Sequence, residues 1–307
     1  IIEMLDPRIG EVVADYAAGT GGFLTSALEH LRLKEETPED RETINKSIVG
    51  IEKKGLPYML AMTNLILHDI DEPGIKRGNS LADNVREVSD KNKVDVFAMN
   101  PPYGGVEGPG IQANFPNDMQ TKETADLFIA MMMYHLKKNG RAGVILPDGF
   151  LFGTDGAKVN IKKKLLKEFN LHTIVRLPSG VFAPYTSIKT NILFFENKGT
   201  TEKIDFYEIP LPDGLKNGFT KTRSFMKKHI EEAREWCLHR ENGDENAYSV
   251  TIEEIEKRNF NIDIRNPLNI KDEEVFTLDE LMEDLKEKAL EIESLLGELS
   301  SVLKGDK

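Results

Sequence analysis

The sequence predicts an α/β protein with a Rossmann-like, doubly wound and mostly parallel sheet, followed by a helical C-terminal extension. Short, continuously apolar segments alternate with segments of helical periodicity, the pattern of a parallel sheet covered on both faces. One of these segments runs into a glycine-rich turn at residues 19–22. A heptad pattern of apolar residues near the C-terminus predicts a further helix outside the sheet.

Seven apolar segments have the length and composition of strands. They span residues 12–15, 47–52, 94–99, 141–146, 172–177, 190–195 and 203–209, and the last is expected at an edge. Helices are predicted over residues 23–33, 56–68, 124–137, 161–169 and 219–238. The Gly/Pro/Asn-rich stretch 104–120 is predicted to be a long loop. Two hypotheses for this loop have equal weight: it closes over a substrate with the help of Phe115, or it is disordered.

A domain boundary is predicted near residue 212. Residues 1–212 then form the α/β domain, and residues 213–307 form a helical region with a heptad helix at 278–303. Spacings of four and three alternate along Leu278, Met282, Leu285, Ala289, Ile292, Leu296, Leu299 and Leu303. This pattern favours docking on a partner helix, and packing on its own domain is the alternative.

Composition narrows the class of protein. No apolar run reaches the roughly 20 residues that cross a bilayer, and the single cysteine, Cys237, fits a reducing cytosol. We therefore expect a cytoplasmic protein with no membrane segment. Because the chain opens on Ile1 without a methionine, we expect a fragment or a processed chain.

The net charge of −12 argues mildly against nucleic acid as a partner. The charge is uneven, however. Residues 271–307 hold 12 acidic and 5 basic residues, a net of −7, so the remaining 270 residues carry only −5. The first 270 residues can therefore still form a basic groove. They include a cationic run, which is either a solvated face or a phosphate contact: Lys158, Lys162, Lys163 and Lys164.

The turn after the first strand has the composition of a ligand-binding loop. Asp15 ends the strand, and the glycines at 19, 21 and 22 let a ligand approach the backbone closely. The dinucleotide fingerprint G-x-G-x-x-G is incomplete because Leu24 takes its third glycine position, and no Walker A lysine follows. Glu52, after the next strand, is placed to accept ribose hydroxyls, and Asn79 to bond an adenine edge; each is also compatible with an ordinary cap or turn.

The most specific motif is Asn100-Pro101-Pro102-Tyr103, directly after a predicted strand. Two prolines fix φ and leave carbonyls unpaired, so the motif forms a rigid ledge with an amide oxygen, a free carbonyl and an aromatic face. The Asn100 oxygen and the Pro101 carbonyl suit the two hydrogens of an exocyclic amine on a flat ring. These bonds improve as the nitrogen becomes tetrahedral, which favours the transition state. A chance turn is the alternative.

These motifs, taken in order, resemble the methyltransferase (M) subunit of type I restriction–modification systems. The resemblance covers about residues 3–198. It rests on five segments: 19–24 (GTGGFL), 100–103 (NPPY), 140–147 (GRAGVILP), 177–182 (LPSGVF) and 190–195 (TNILFF).

The resemblance implies a site-specific DNA adenine-N6 methyltransferase that uses S-adenosyl-L-methionine and flips an adenine out of double-stranded DNA. Residues 1–212 then correspond to its catalytic domain, and no metal-binding residues are expected. Cofactor-binding positions map onto Asp15, Ala17, Gly19, Thr20, Gly21, Gly22, Phe23, Glu52, Asn79, Ser80 and Leu81. Catalytic positions map onto Asn100, Pro101, Pro102, Tyr103 and Phe182, the last an aromatic that stacks on the extruded base.

The chain departs from the family pattern at two positions and in one region. Tyr16 stands where proline is usual, and Asn79 stands where aspartate is common. The helical domain that precedes the first strand in the family is represented only by residues 1–5. Sequence recognition is expected to come from a separate specificity subunit, docked on the heptad helix, and cleavage from a restriction subunit. Methylation of a protein glutamine and a catalytically dead assembly subunit are the alternatives.

Overall fold

The computed structural model of the protein describes residues 1–212, 214–215, 218–239 and 245–267. The chain divides into two compact units, Ile1–Asn266 and Pro267–Lys307, and the first unit contains the sheet and its helices. The predicted heptad helix 278–303 lies outside the described residues. None of the helices in the described ranges is long and apolar enough to span a bilayer.

A single nine-stranded sheet forms the centre of this unit. Its strands are β1 (Val13–Asp15), β2 (Ile48–Glu52), β3 (Gly74–Arg77), β4 (Val94–Met99), β5 (Leu136–Pro147), β6 (Asn170–Arg176), β7 (Thr190–Glu196), β8 (Lys203–Glu208) and β9 (Ala247–Thr251). Their spatial order is β3-β2-β1-β4-β5-β7-β6-β8-β9. Strands β3, β2, β1, β4 and β5 are parallel, whereas β7 is antiparallel to both neighbours and β9 is antiparallel to β8. The predicted doubly wound α/β class is confirmed.

The helices are α1 (Ile2–Leu5), α2 (Gly22–Arg32), α3 (Pro38–Ser47), α4 (Gly55–Leu67), α5 (Pro109–Gln112), α6 (Thr124–His135), α7 (Asp148–Phe152), α8 (Gly156–Lys167), α9 (Glu231–His239) and α10 (Ile252–Lys257). Two hydrophobic clusters cover the sheet. One contains buried residues of α6, α8 and α10, and the other contains those of α2, α4 and α9. The sheet is therefore a middle layer between two layers of helices.

Two features near the predicted boundary at 212 differ from the sequence-based expectation. Strand β9 pairs with β8 over five residue pairs, so β8 is not an edge and the sheet continues past the boundary. The predicted helix 219–238 is also wrong in its first half. In this stretch residues 227–229 form a 3-10 turn and only α9 is α-helical. At its start, the Phe219 N–H donates to the Ser179 carbonyl, a tertiary contact in place of a helical one.

The loop after β4 is ordered by its own core. Phe115 is fully buried and Met119 nearly so, and the Asn114 side chain donates to the carbonyls of Leu81 and Ala82 at 2.9 and 2.7 Å. Phe115 therefore anchors this loop to the domain, and it is not exposed for closure over a substrate.

Candidate functional site

The first part of the site is the turn between β1 and α2. Gly19 and Gly21 have φ values of +55° and +87°, and a Cβ at Gly21 would lie 3.3 Å from the Cβ of Ala61 in α4. Glycine is required at Gly21 because its backbone is left-handed and lies directly against this helix. The exposed Thr20 and Gly22 and the half-buried Ala17 complete the turn.

Glu52 connects this turn to the end of β2. One carboxylate oxygen accepts the Gly19 N–H at 2.8 Å, and the other accepts the Lys54 N–H at 2.7 Å. A carboxylate has about four acceptor positions, so Glu52 can still accept hydroxyl donors from a ligand. The predicted pair of glycine turn and acidic residue is therefore brought together in space.

Asp15 is a buried carboxyl at the same edge. Its side chain is 2% exposed and accepts the Ala17 N–H at 2.9 Å. Burial, with a smaller contribution from the charge of Glu52, raises the pKa of Asp15 from 3.8 to about 7. A buried acid with so high a pKa is a group whose ionised form a nearby cation would stabilise.

The segment at residues 79–81 closes the other side of the turn. The Ser80 hydroxyl donates to the carbonyl of Tyr16 at 2.5 Å. The Asn79 side-chain oxygen accepts the Leu81 N–H at 3.2 Å. A carboxamide oxygen has two lone pairs, so this atom keeps one for a ligand amine. The Leu81 side chain is fully buried in the core, so only its backbone could contact a ligand.

The Asn-Pro-Pro-Tyr ledge lies at the carboxyl end of β4, the strand next to β1. Ala14 is paired with Phe97 in parallel register, so Asp15 and Asn100 leave the same edge of adjacent strands. Pro101 is buried, whereas Pro102 is exposed. The Tyr103 hydroxyl donates to the side-chain oxygen of Asn100, which fixes the orientation of that carboxamide.

Tyr103 forms an aromatic pair with Phe182 at this edge. Their ring centroids lie 6.1 Å apart with the planes at 59°, and both side chains are half-buried. Burial raises the pKa of Tyr103, so its hydroxyl is protonated at neutral pH and is a hydrogen-bond donor. Two of the predicted catalytic residues, far apart in sequence, therefore form a pair, and one of them, Tyr103, bonds the Asn100 carboxamide.

Sequence reasoning did not identify what holds Phe182 in place. Gly180 has a φ of +77°, and a Cβ there would overlap the carbonyl of Phe219. The Phe219 N–H donates to the Ser179 carbonyl at 2.8 Å, and Phe219 itself packs edge-on against Phe225 with ring centroids 5.1 Å apart. The only sequence signal was the glycine two residues before Phe182.

Sequence reasoning also missed a buried ion-pair cluster at the start of α6. Asp126 is 2% exposed and lies 3.3 Å from the Lys158 ammonium. Burial raises the pKa of Asp126 to about 6. Lys162 is fully buried and donates to the carbonyls of Leu151 and Gly153 at 2.9 and 2.7 Å. These contacts join the start of α6 to α7 and α8.

The cationic run is therefore engaged within the protein. Besides Lys158 and Lys162, the Lys163 ammonium lies over the Phe260 ring at 5.2 Å, and Lys164 is paired with Glu168. The predicted phosphate contact for this run is not supported by its geometry.

Phe23 lies on a different wall from the other predicted residues. It lines a cavity of about 520 Å³ together with Ile1, Met4, Val175 and Phe194, and neither Glu52 nor Asn100 lines that cavity. Within the ranges that the structure describes, no three His, Cys, Asp or Glu side chains cluster as metal ligands.

Comparison with known proteins assigns the family. The family model described as N-6 DNA Methylase matches residues 1–275. The chain is 44% identical to the type I restriction enzyme EcoEI methylase subunit of Escherichia coli, over 99% of this chain and 62% of that protein. It is 35% identical to the EcoKI methylase subunit of Escherichia coli, over 75% of this chain and 46% of that protein. The chain thus spans about half to three fifths of these curated relatives.

Solved structures agree with the sequence comparison. A modification subunit of a putative type I restriction enzyme from Vibrio vulnificus YJ016 superposes with a TM-score of 0.82 at 46% identity, covering 87% of this chain and 58% of that one. The EcoKI M protein superposes with a TM-score of 0.71 at 24% identity, covering 97% and 71%, which supports the fold. A carboxamide ledge, a glycine turn and an acidic residue lie at one edge of the sheet, and the family model matches most of the chain. This chain therefore belongs to the N-6 DNA Methylase family.

Proposed function

We propose that this chain is the catalytic part of a DNA adenine-N6 methyltransferase, the modification subunit of a type I restriction–modification complex. The observation that carries the proposal is the set of residues that meets at the carboxyl edge of β1 and β4. There the Asn100 carboxamide and the Tyr103–Phe182 pair stand next to the turn that Glu52 holds.

The residues at the turn fit S-adenosyl-L-methionine. The cofactor's ribose has two hydroxyl donors, which suit the remaining acceptor positions of Glu52. Its positively charged part suits Asp15, since burial holds that carboxyl partly neutral and a cation would favour its ionised form. When bound, the cofactor supplies an activated methyl group. The remaining binding positions are proposed to be Ala17, Gly19, Thr20, Gly21, Gly22, Asn79, Ser80 and Leu81. Phe23 would contribute only its backbone, because it lines the separate cavity.

The ledge would hold and orient the substrate amine. The adenine N6 lone pair is delocalised into the ring, so the nitrogen is a poor nucleophile. The Asn100 oxygen and the Pro101 carbonyl would each accept one N–H, and these bonds strengthen as the nitrogen leaves the ring plane. A carboxamide oxygen has two lone pairs, so Asn100 can accept both the Tyr103 hydroxyl and the amine. Pro102 would stiffen the ledge.

The aromatic pair would hold the base once it has left the duplex. A base must be flipped out for chemistry at N6, at a cost of a few kcal/mol, and stacking on an aromatic ring returns about 1–3 kcal/mol per base. Phe182, with Tyr103 beside it, supplies that surface. Specificity and restriction subunits are proposed as partners, the former at the heptad segment 278–303.

The test is methyl transfer by the complete protein with its partner subunits. We expect label from S-adenosyl-L-methionine to appear in DNA as N6-methyladenine, with the modified sites found by modified-base mapping. Asn100→Ala should reduce turnover by about 10²- to 10³-fold, the effect of losing one transition-state hydrogen bond. The Kd for S-adenosyl-L-methionine, measured by calorimetry, should change little, because Asn100 contacts the amine.

Three outcomes would contradict the proposal. Unchanged turnover in Asn100→Ala would remove the assigned role. Label in a protein glutamine, with none in DNA, would favour the protein substrate. No binding of S-adenosyl-L-methionine by the complete protein would favour an assembly subunit with an inactive site.

A further inference from the structure

An exposed apolar rim lies at the sheet edge that carries the candidate site. Among the described residues next to the ends of β4 and β5 and the start of β7, four large apolar side chains are open to solvent. Three are on loops, Val106 at 68%, Tyr185 at 92% and Ile188 at 45% exposure, and the fourth is Phe152, at 52%, the last residue of α7. Apolar side chains grouped around a site indicate an interaction surface.

Strand directions place all four at the same edge as Asn100. Val106 follows β4 and Phe152 follows β5, and these two strands are parallel. Tyr185 and Ile188 precede β7, which is antiparallel to β5 with Thr190 opposite Pro147. The start of β7 therefore lies beside the ends of β4 and β5.

Tyr185 is exposed on an ordered turn. Its N–H donates to the Phe182 carbonyl at 2.9 Å, and the Thr186 N–H donates to the same carbonyl at 3.3 Å. The Ile188 N–H donates to the Thr186 hydroxyl at 3.1 Å. This turn presents the Tyr185 ring to solvent while its backbone is fixed to the residue proposed to stack on the substrate base.

The turn ends on one cation, the kind of side chain that contacts a phosphate. Lys189 is exposed and is the one charged residue in the stretch 183–189. The Asp148 N–H donates to the Lys189 carbonyl at 3.0 Å, and the Asp148 carboxylate accepts from the Asn191 side chain at 2.7 Å. An aromatic ring, an aliphatic side chain and a cation on one fixed turn match a DNA duplex, whose stacked bases lie between phosphates.

We propose that Tyr185 enters the base stack of DNA at the position that the flipped adenine leaves. This inference rests on the proposed function. Phe182 would stack on the extruded base, and Tyr185, three residues later on the same turn, would fill the gap that extrusion opens. Filling the gap restores stacking that would otherwise be lost, so Tyr185 favours the flipped state.

The experiment compares Tyr185→Ala with Tyr185→Phe in the complete protein with its partner subunits. The substrates are two duplex oligonucleotides that carry a mapped methylation site. One has the target adenine paired, and the other has an abasic position opposite it. With the paired target, Tyr185→Ala should reduce kcat/KM about 10- to 100-fold, the range expected for one base stack, and Tyr185→Phe should stay within about twofold because it keeps the ring.

With the abasic partner, extrusion is already easier, and the activity of Tyr185→Ala should return to within about threefold of the wild type. Leu33→Ala is the matched control. Leu33 is 87% exposed and caps the far end of α2, so this variant should match the wild type on both substrates.

An equal loss on both duplexes would overturn the proposal, because a contact that fills the gap must matter less when extrusion is easy. Loss of complex assembly in size-exclusion chromatography would also overturn it and assign the rim to a protein subunit. Wild-type kinetics in Tyr185→Ala would contradict this inference and leave the proposed function intact. A wild-type complex that does not methylate adenine would contradict the proposed function itself.

Discussion

At the scale of single residues, the candidate site is held by contacts among its own members. Tyr103 donates to the Asn100 carboxamide, and Glu52 accepts the Gly19 N–H. Each contact fixes a group that would act on a ligand. Such preorganisation lowers the reorganisation needed at the moment of reaction.

Asp15 gives a prediction about stability and pH. The folded protein keeps the proton on this carboxyl up to about pH 7, whereas the reference pKa is 3.8. The folded state therefore binds more protons between these values, and this group's contribution to stability falls as pH rises through that window. Asp15→Asn does not titrate, and its side-chain oxygen can still accept the Ala17 N–H. The Tm of Asp15→Asn minus that of the wild type should therefore increase from pH 4 to pH 7 and then level off.

Scanning calorimetry of both proteins at several pH values provides the measurement. Other groups titrate in both proteins and cancel in the difference. A Tm difference that is the same at every pH would contradict the assigned burial of Asp15.

At the scale of elements, the loop between β6 and β7 depends on a crossing with a distant segment. Gly180 and Gly218 both have positive φ, and each lies against the backbone of the other segment, Gly180 at Phe219 and Gly218 at Ser179. The turn that begins at Gly180 carries Phe182. The segment at 218–219 is therefore expected to position Phe182.

Gly180→Ala tests this role, with Gly199→Ala as its matched control. Gly199 has nearly the same φ, +76°, with open space around its missing Cβ, and it follows β7 at the opposite edge of the sheet. Both variants bear the strain of a left-handed alanine, about 1–2 kcal/mol. Only Gly180→Ala also displaces the loop, so it should reduce methyl transfer about tenfold or more, and Gly199→Ala should stay within about twofold.

A double-mutant cycle shows whether Gly180 acts through Phe182. In a Phe182→Ala background, Gly180→Ala should cause little further loss of activity, because its effect is already absent. Additive losses would argue against positioning and for a general structural defect, which the Tm values of the single variants would also reveal.

At the scale of the whole molecule, the compact unit extends past residue 212. Strand β9 covers β8, and Ile204, Phe206 and Tyr207 are at most 1% exposed. Beyond β9, Ile255 and Ile262 are also buried in the core. Residues 247–262 therefore complete the α/β fold.

Truncation checks this boundary. A chain that ends at residue 212 should lose cooperative unfolding and aggregate. The truncation exposes several apolar side chains, and the burial of each contributes about 1.5–3 kcal/mol to the free energy of folding. The usual net free energy of unfolding is only about 5–15 kcal/mol. The truncation also leaves an open strand edge. A chain that ends at residue 267 should keep its thermal transition. Equal solubility and Tm for the two chains would contradict this account.

The parts of the fold that sequence predicted well are those with a local signal. Strand β4 was predicted with its observed bounds because it is continuously apolar. Strand β3 was missed because Ile75 is its one buried residue among four. Helix α3 was missed although it begins with a cap readable in the sequence, Thr37 with Asp40 and Pro38 at the first turn. The spacing in α4 predicted the helix, yet Leu56 and Met59 are exposed and Ala61 and Leu65 are buried.

The sequence by itself determined the class of fold, the glycine turn after β1 and the ledge after β4, because each depends on neighbours in the chain: periodicity, φ preference and proline geometry. Only the tertiary structure decided which distant groups meet. The crossing at Gly180 and Phe219, the Asp126–Lys158 pair and the placement of β9 join segments tens of residues apart. Such contacts arise from packing and strand order, and residue type at one position does not specify its partner far along the chain.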